Sequence, residues 1–148
     1  MKTLCVDIGG TGIKTLVIEE GSKRHSERAR VKTPQPATPR AVLAAIAALA
    51  KQQGEYDRVS VGFPGVVRAG ITETAPNLHK SWAGFPLAQK LSKVLGKPVR
   101  VANDADVQGY GAVKAHGVEL VITLGTGMGA ALFVDGKLVP NQIGRAHV

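Results

Sequence analysis

The sequence predicts an α/β protein. Short apolar, β-branched runs (TLCVDI, RVSVGF, VRVA) end at glycines, at a proline or at an Asn-Asp pair. Two longer stretches between them repeat apolar residues at helical spacing. The 18 glycines fall at the ends of apolar runs, with no collagen period and no low-complexity tract. Hydrophobic residues make up 44% of the 148, enough for a packed core, and the length suits one domain or one domain plus part of another.

Thr3 to Ile8 reads as a buried strand, Gly9 to Gly12 as a tight turn and Ile13 to Glu19 as the returning strand, so the chain opens on a hairpin. A polar third strand lies within Arg24 to Thr33, on an edge where its charges face water. Pro34 to Pro39 breaks the pattern. Thr38 suits an N-cap and Pro39 the first helical turn. Val42, Leu43, Ile46, Leu49 and Ala50 then share a helix face, and Gly54 ends the helix. Arg58 to Phe63 is an alternating strand stopped by Pro64 and Gly65, with short extended pieces at Val66 to Arg68 and Ile71 to Glu73. Asn77 to Gly84 is an irregular loop. A second helix spans Pro86 to Leu95. A strand over Val99 to Ala102 runs into a third helix from Asp104 to about His116, closed by Gly117. Glu119 to Leu124 and Ala130 to Val134 flank a second glycine-rich turn, and Asp135-Gly136 leads into a short arm over Lys137 to Val139. This second hairpin echoes the first, as in a two-lobed duplication whose second copy is cut short.

The formal charge is +8. A basic balance favours a polyanionic partner: nucleic acid, anionic lipid or a phosphate-rich substrate. Lys23, Arg24, Arg28, Arg30 and Lys32 cluster near one strand; the other cations are scattered, as on any solvated surface. Three Phe, two Tyr and one Trp are too few for a single-strand stacking platform. Cys5, the one cysteine, has no disulfide partner and reads as a small buried residue. The opening MKTLCVDIGG has too short an apolar run for a signal peptide or a membrane span, so a cytoplasmic protein without a membrane partner is expected.

Four segments carry candidate chemistry. In DIGGTGIK, Asp7 to Lys14, an acid at a strand end can hold a hydrated metal ion, and the glycines let backbone N–H groups approach an oxyanion. It is not a Walker loop, lacking GxxxxGK[ST], nor a dinucleotide fingerprint, because a strand follows it. Alone, such a turn is more often a plain hairpin. LGTGMG, Leu124 to Gly129, repeats the logic with Thr126 between Gly125 and Gly127. Phosphoryl transfer needs donor phosphates held from both sides and little covalent help. Asn103 and Asp104 place an amide and a carboxylate where a strand meets a helix, the usual ligand crevice of an open α/β sheet. Asp104 is either a helix cap or a general base; Asp106 could serve the helix dipole in its place. GFPG, Gly62 to Gly65, and NLHKSW, Asn77 to Trp82, can wall a pocket. Trp82 either packs on a sugar face or is a half-buried anchor, the second being favoured. His79 and His116 lack partners at metal-ligand spacing and read as surface or loop residues.

DIGGTGIK, GFPGVV, VANDAD and ITLGTGMGAALFVDG, in this order, resemble the ROK sugar kinases (repressor, ORF, kinase), over Met1 to Asn141. The NLHKSWAG loop is similar to the polyphosphate glucokinase branch. The resemblance implies an actin-like, ribonuclease H-like ATPase fold, with an N-terminal domain over 1–117 and the first hairpin of a truncated second lobe over 118–142. It implies a phosphoryl transfer from polyphosphate or ATP to the 6-hydroxyl of glucose or a similar hexose. Asp104 would take the hydroxyl proton and Asn103 would bond sugar hydroxyls. Asp7 would act through Mg²⁺ and its waters. Gly9, Gly10, Thr11, Gly125, Thr126 and Gly127 would cradle donor phosphates, and Pro64 and Gly65 would border the sugar. The full-length protein is expected to be a homodimer that binds no nucleic acid.

The departures from the family pattern also carry expectations. The Glu-x-Gly-His segment that follows the strand pair in the family is missing after Asn141, as is the Cys-rich zinc motif of many members. The first strand begins at Thr3, which disfavours the repressor branch with its N-terminal helix-turn-helix. Ile143 to Val148 (IGRAHV) matches a reading frame of a common sequencing adapter, so 143–148 is expected to be a non-native tail. An N-terminal fragment of this kind is expected to be inactive by itself. The alternative function is a non-catalytic, sugar-binding ROK regulator or sensor, which could dispense with Asp7 and Asp104.

Overall fold

The structure is a computed structural model that describes residues 1–22, 25–124 and 128–139. It forms two compact units, Met1–Asn103 and Asp104–Val148. The first contains β1 (Lys2–Ile8), β2 (Gly12–Glu19), β3 (Ala29–Lys32), α1 (Pro39–Ala50), β4 (Arg58–Phe63), β5 (Val67–Arg68), β6 (Ile71–Thr72), α2 (Leu87–Leu95) and β7 (Val99–Asn103). The main sheet runs β3-β2-β1-β4-β7. The β1–β2 and β2–β3 pairs are antiparallel hairpin neighbours. β1, β4 and β7 are parallel, and α1 and α2 lie on the crossovers that parallel pairing requires.

Alternation builds the core. Leu4, Val6 and Ile8 pair with Val17, Thr15 and Ile13 on one face, and all six are buried. Val42, Leu43, Ile46 and Leu49 of α1 join that cluster. Thr38 caps α1 by accepting the Ala41 N–H at 3.3 Å, and Pro39 occupies the first turn. The helix stops at Ala50, short of Gly54. α2 ends on Gly96 at φ 65, the left-handed conformation that glycine adopts without strain.

Trp82 is an aromatic anchor, the favoured reading, but more deeply buried than expected. It is neither a sugar-facing wall nor half-buried: it is fully buried at the end of a 3-10 turn over Lys80–Trp82. Its ring lies 5.0 Å from Phe63 and 5.4 Å from Phe85, and its indole N–H donates to the Ala37 carbonyl at 2.8 Å. Cys5 is only half-buried, and burial pushes its thiol up.

The second unit holds α3 (Asp104–Ala112), β8 (Val118–Leu124), β9 (Met128–Val134) and β10 (Lys137–Leu138), the strands antiparallel in the order β10-β9-β8. α3 ends before His116. The Glu119 carboxylate accepts the N–H groups of Lys114 at 2.8 Å and His116 at 3.3 Å, and Asp135 accepts that of Gly117 at 2.8 Å. These side-chain acceptors replace the helical carbonyls. Those backbone donors, Lys114 first, also hold the Glu119 carboxyl below its usual range.

Small residues bring α3 close to its sheet. A Cβ at Gly109 would lie 2.6 Å from the Phe133 ring, and one at Gly129 would lie 2.7 Å from Ala105. α3 therefore packs on the second hairpin, within the second unit. On the other face of β8 and β9, Val118, Leu120, Ile122, Leu124, Met128 and Val134 are exposed. The glycine turn at 125–127 and the expected tail at 143–148 lie outside the described residues. No helix among the described residues is long and apolar enough to cross a membrane.

Candidate active site

The carboxyl ends of β1, β4 and β7 lie side by side. Asp7 pairs with Gly62, Gly62 with Ala102, and Phe63 with Asn103. Three sequence-predicted pieces are thereby joined at one edge of the sheet: the turn after Asp7, the turn at Pro64 and Gly65, and Asn103. This is the crevice where open α/β sheets bind ligands. A shallow groove lined by Lys2, Val17, Glu19, His25 and Ser26 lies at the opposite end of β1, away from these groups.

The turn after β1 needs glycine for a steric reason. The Gly9 N–H donates to the Gly12 carbonyl at 2.9 Å, and a Cβ on Gly9 would sit 2.9 Å from that same oxygen. A Cβ on Gly10 would sit 3.3 Å from the Asn77 Cβ, so the Asn77 loop packs against the turn. Buried Thr33, just after β3, braces it: its hydroxyl donates to the Gly9 carbonyl at 2.6 Å and its N–H to the Thr11 carbonyl at 3.1 Å. Two carbonyls that would repel an anion are thus occupied, while Thr11 stays exposed. Asn77 belongs to a segment expected to wall a pocket, but its contact with the turn, like the bracing by Thr33, arises only from packing between distant segments.

Asp7 is half-exposed and lies opposite Lys14, whose Nζ is 3.4 Å from Oδ2. A solvent-facing pair of this kind contributes little to stability, which leaves both charges available to a ligand. No group of three or more His, Cys, Asp or Glu residues converges on a metal position among the described residues. A single exposed carboxylate fits only an ion that keeps most of its water, as Mg²⁺ does.

At the second strand end, Pro64 and Gly65 are buried. The Asn103 amide donates to the Gly65 carbonyl at 2.8 Å, and the Gly65 N–H donates to the Phe63 carbonyl at 2.9 Å. Asn103 is therefore oriented by the turn. A Cβ on Gly65 would overlap the Thr74 carbonyl. Gly65→Ala is expected to cost about 1–3 kcal/mol through overpacking and to disturb Asn103. Urea denaturation checks this; an unchanged midpoint would show that the 65–74 contact yields freely.

Asp104 opens α3 and accepts the Ala105 N–H on Oδ1 at 2.9 Å. This bond lies at the start of the helix and does not compete with the role of a base. Asp106 differs: partial burial pushes its carboxyl up, and the Asp104 charge adds to the shift. The folded state thus holds this proton more tightly than the unfolded chain. Its stabilising contribution is full below the ordinary carboxylate range and is lost as pH rises through the raised pKa. Asp106→Asn is expected to raise the thermal midpoint at neutral pH and to leave it unchanged in acid, below the ordinary carboxylate range. A midpoint gain independent of pH would contradict this.

His79 accepts the Ser81 N–H at 3.2 Å and so caps the 3-10 turn that carries Trp82; His116 is exposed. Gly125, Thr126 and Gly127 lie outside the described residues.

The ROK family model matches residues 3–147. The chain belongs to the ROK family. It is 38% identical over 144 residues to the polyphosphate glucokinase of Mycobacterium tuberculosis (strain ATCC 25618 / H37Rv), covering 92% of this chain and 54% of that protein. Among solved structures, the inorganic polyphosphate/ATP-glucomannokinase of Arthrobacter sp. strain KM superposes with a TM-score of 0.86 at 40% identity, over 95% of this chain and 61% of the other. A ROK family glucokinase from Streptomyces griseus, in complex with glucose and AMPPNP, gives 0.83 at 33% identity, over 99% of this chain and 48% of the other. The fold is accordingly that of the actin-like ROK sugar kinases. The ROK chain spans about half the length of the curated relatives it matches.

Proposed function

We propose that this ROK chain carries the sugar-activating side of a kinase site, for phosphoryl transfer from polyphosphate or ATP to the 6-hydroxyl of glucose or a similar hexose. The observation that carries the reading is the join at the sheet edge: the braced glycine turn beside Asp7, and the Gly65–Asn103 hydrogen bond with Asp104 next in the chain. The similarity to polyphosphate and ATP glucokinases points the same way.

Asn103, held by Gly65, orients sugar hydroxyls, and Pro64 and Gly65 shape the wall beside them. Asp104 accepts the proton as the hydroxyl oxygen attacks the terminal phosphorus, and the shortened polyphosphate or ADP leaves. Gly9, Gly10 and Thr11 receive donor phosphate oxygens, a role that Gly125, Thr126 and Gly127 share in this reading. Asp7 would hold Mg²⁺ through its waters, and the ion would offset phosphate charge. A non-catalytic regulator would need Asn103 and the wall alone; the presence of Asp7 and Asp104 favours catalysis.

A coupled assay for hexose 6-phosphate tests the reading, using glucose with ATP and with polyphosphate. A complete relative bearing these residues is expected to turn over, and this chain to show little or no activity. Absence of turnover with both donors in the complete protein would overturn the reading. Robust turnover by this chain would show that the remaining length of the family fold is dispensable.

A further inference from the structure

The basic cluster near the third strand is not used by the site above. β3 pairs with β2 so that Lys14 faces Arg30 and Gly12 faces Lys32. Alternate residues of a strand share a face, so Lys14, Arg30 and Lys32 lie on one side of the sheet. Asp7, the register partner of Lys14, is on that side too. The other side carries Ile13, which is fully buried in the core. All three cations are exposed. Lys14 is paired with Asp7, and among the described residues neither Arg30 nor Lys32 has an ion-pair partner.

This row is fastened to the phosphate turn. Lys32 directly precedes Thr33, whose hydroxyl and N–H hold the Gly9 and Thr11 carbonyls. The cations therefore begin beside the turn and continue along β3 at a spacing of about 6.6–6.8 Å per two residues, with Lys14 about 5 Å across the ladder. In the phosphoryl-transfer reading, the compact triphosphate of ATP is held by the glycine turns. A linear polyphosphate carries about one charge on every phosphate and runs on past the turn. Guanidinium forks and ammonium groups both suit its oxygens. β2 and β3 present no aromatic side chain for stacking a base, which favours an inorganic polyanion over a nucleic acid.

We propose that Lys14, Arg30 and Lys32 form a track that holds the phosphates of an inorganic polyphosphate chain beyond those at the glycine turn. This rests on the phosphoryl-transfer reading and extends it to the donor. The test is direct binding of long-chain polyphosphate to the full 148-residue chain, by titration calorimetry at several salt concentrations. The unchanged chain is compared with Arg30→Glu with Lys32→Glu, and with the charge-matched Lys90→Glu with Lys97→Glu, whose side chains are exposed on and just after α2.

The first double variant is expected to weaken polyphosphate binding about tenfold or more and to reduce the salt slope by about two. Its affinity for inorganic triphosphate stays the same. The control changes polyphosphate affinity less than about twofold. Arg30→Gln with Lys32→Gln gives the same ranking without adding negative charge, and guards against misfolding. Equal losses in the α2 control would reduce the effect to net charge and overturn the track. So would single-stranded DNA binding more tightly than polyphosphate with the same dependence on Arg30 and Lys32. The two readings fail separately. A track that binds polyphosphate in a protein that phosphorylates no hexose sinks only the kinase reading. A working kinase whose polyphosphate affinity ignores the reversal sinks only the track.

Discussion

Asp104→Asn in a complete ROK glucokinase carrying this residue is expected to lower turnover by roughly 10²–10⁴ while leaving the fold and glucose affinity in place. The substitution separates the two roles of Asp104. Its Oδ1 accepts the Ala105 N–H at the start of α3, and an Asn oxygen can accept the same bond. The amide cannot take a proton from a hydroxyl. If Asp104 is a base, kcat falls with little change in KM, because the lost interaction belongs to the transition state. If it is only a cap, Asn is harmless, whereas Asp104→Ala costs about 1 kcal/mol of stability. Retained turnover in the Asn variant would refute the base role.

The largest expected effect on stability is at Trp82. Trp82→Ala removes the largest fully buried side chain of the first unit and its contacts with the Phe63 and Phe85 rings. A cost of about 3–5 kcal/mol is expected. Trp82→Phe keeps much of the ring volume but removes the donor to the Ala37 carbonyl, for an expected cost of about 1–3 kcal/mol. The loop preceding Trp82 carries Asn77, which packs on Gly10, so loss of this anchor should also loosen the glycine turn. Urea denaturation followed by circular dichroism measures both, since the only Trp of the chain is the one removed. A loss below about 1 kcal/mol for Trp82→Ala would mean that the pocket collapses around the smaller side chain.

Much of the candidate site was legible because its signals are local. Asp7, the glycine turn, Pro64-Gly65 and Asn103-Asp104 each sit at the end of an apolar run, and a strand end announces itself in sequence. The partners of these residues were not legible. Lys14 meets Asp7 through hairpin register, Thr33 reaches the turn from the far side of β2, and Asn77 arrives from a loop beyond β6. The anchoring role of Trp82 was legible but its full burial was not, because amphipathic side chains occur at pocket walls and in cores alike. The end of α3 was misplaced because Glu119 and Asp135, both downstream, capture the N–H groups that would have continued it.

The order of strands and helices, the two glycine-rich hairpins, the cap of α1 and the candidate acids are all readable along the chain. These follow from side-chain periodicity and turn chemistry, which act within a few residues. It took the folded chain to show that β1, β4 and β7 run parallel with their carboxyl ends aligned, that Gly65 orients Asn103, and that Lys14, Arg30 and Lys32 share a face beside the glycine turn. Those facts depend on register between segments tens of residues apart. Between β1 and β2 register is set by burial of the shared core face, and a slip of one residue there would turn Lys14 inward.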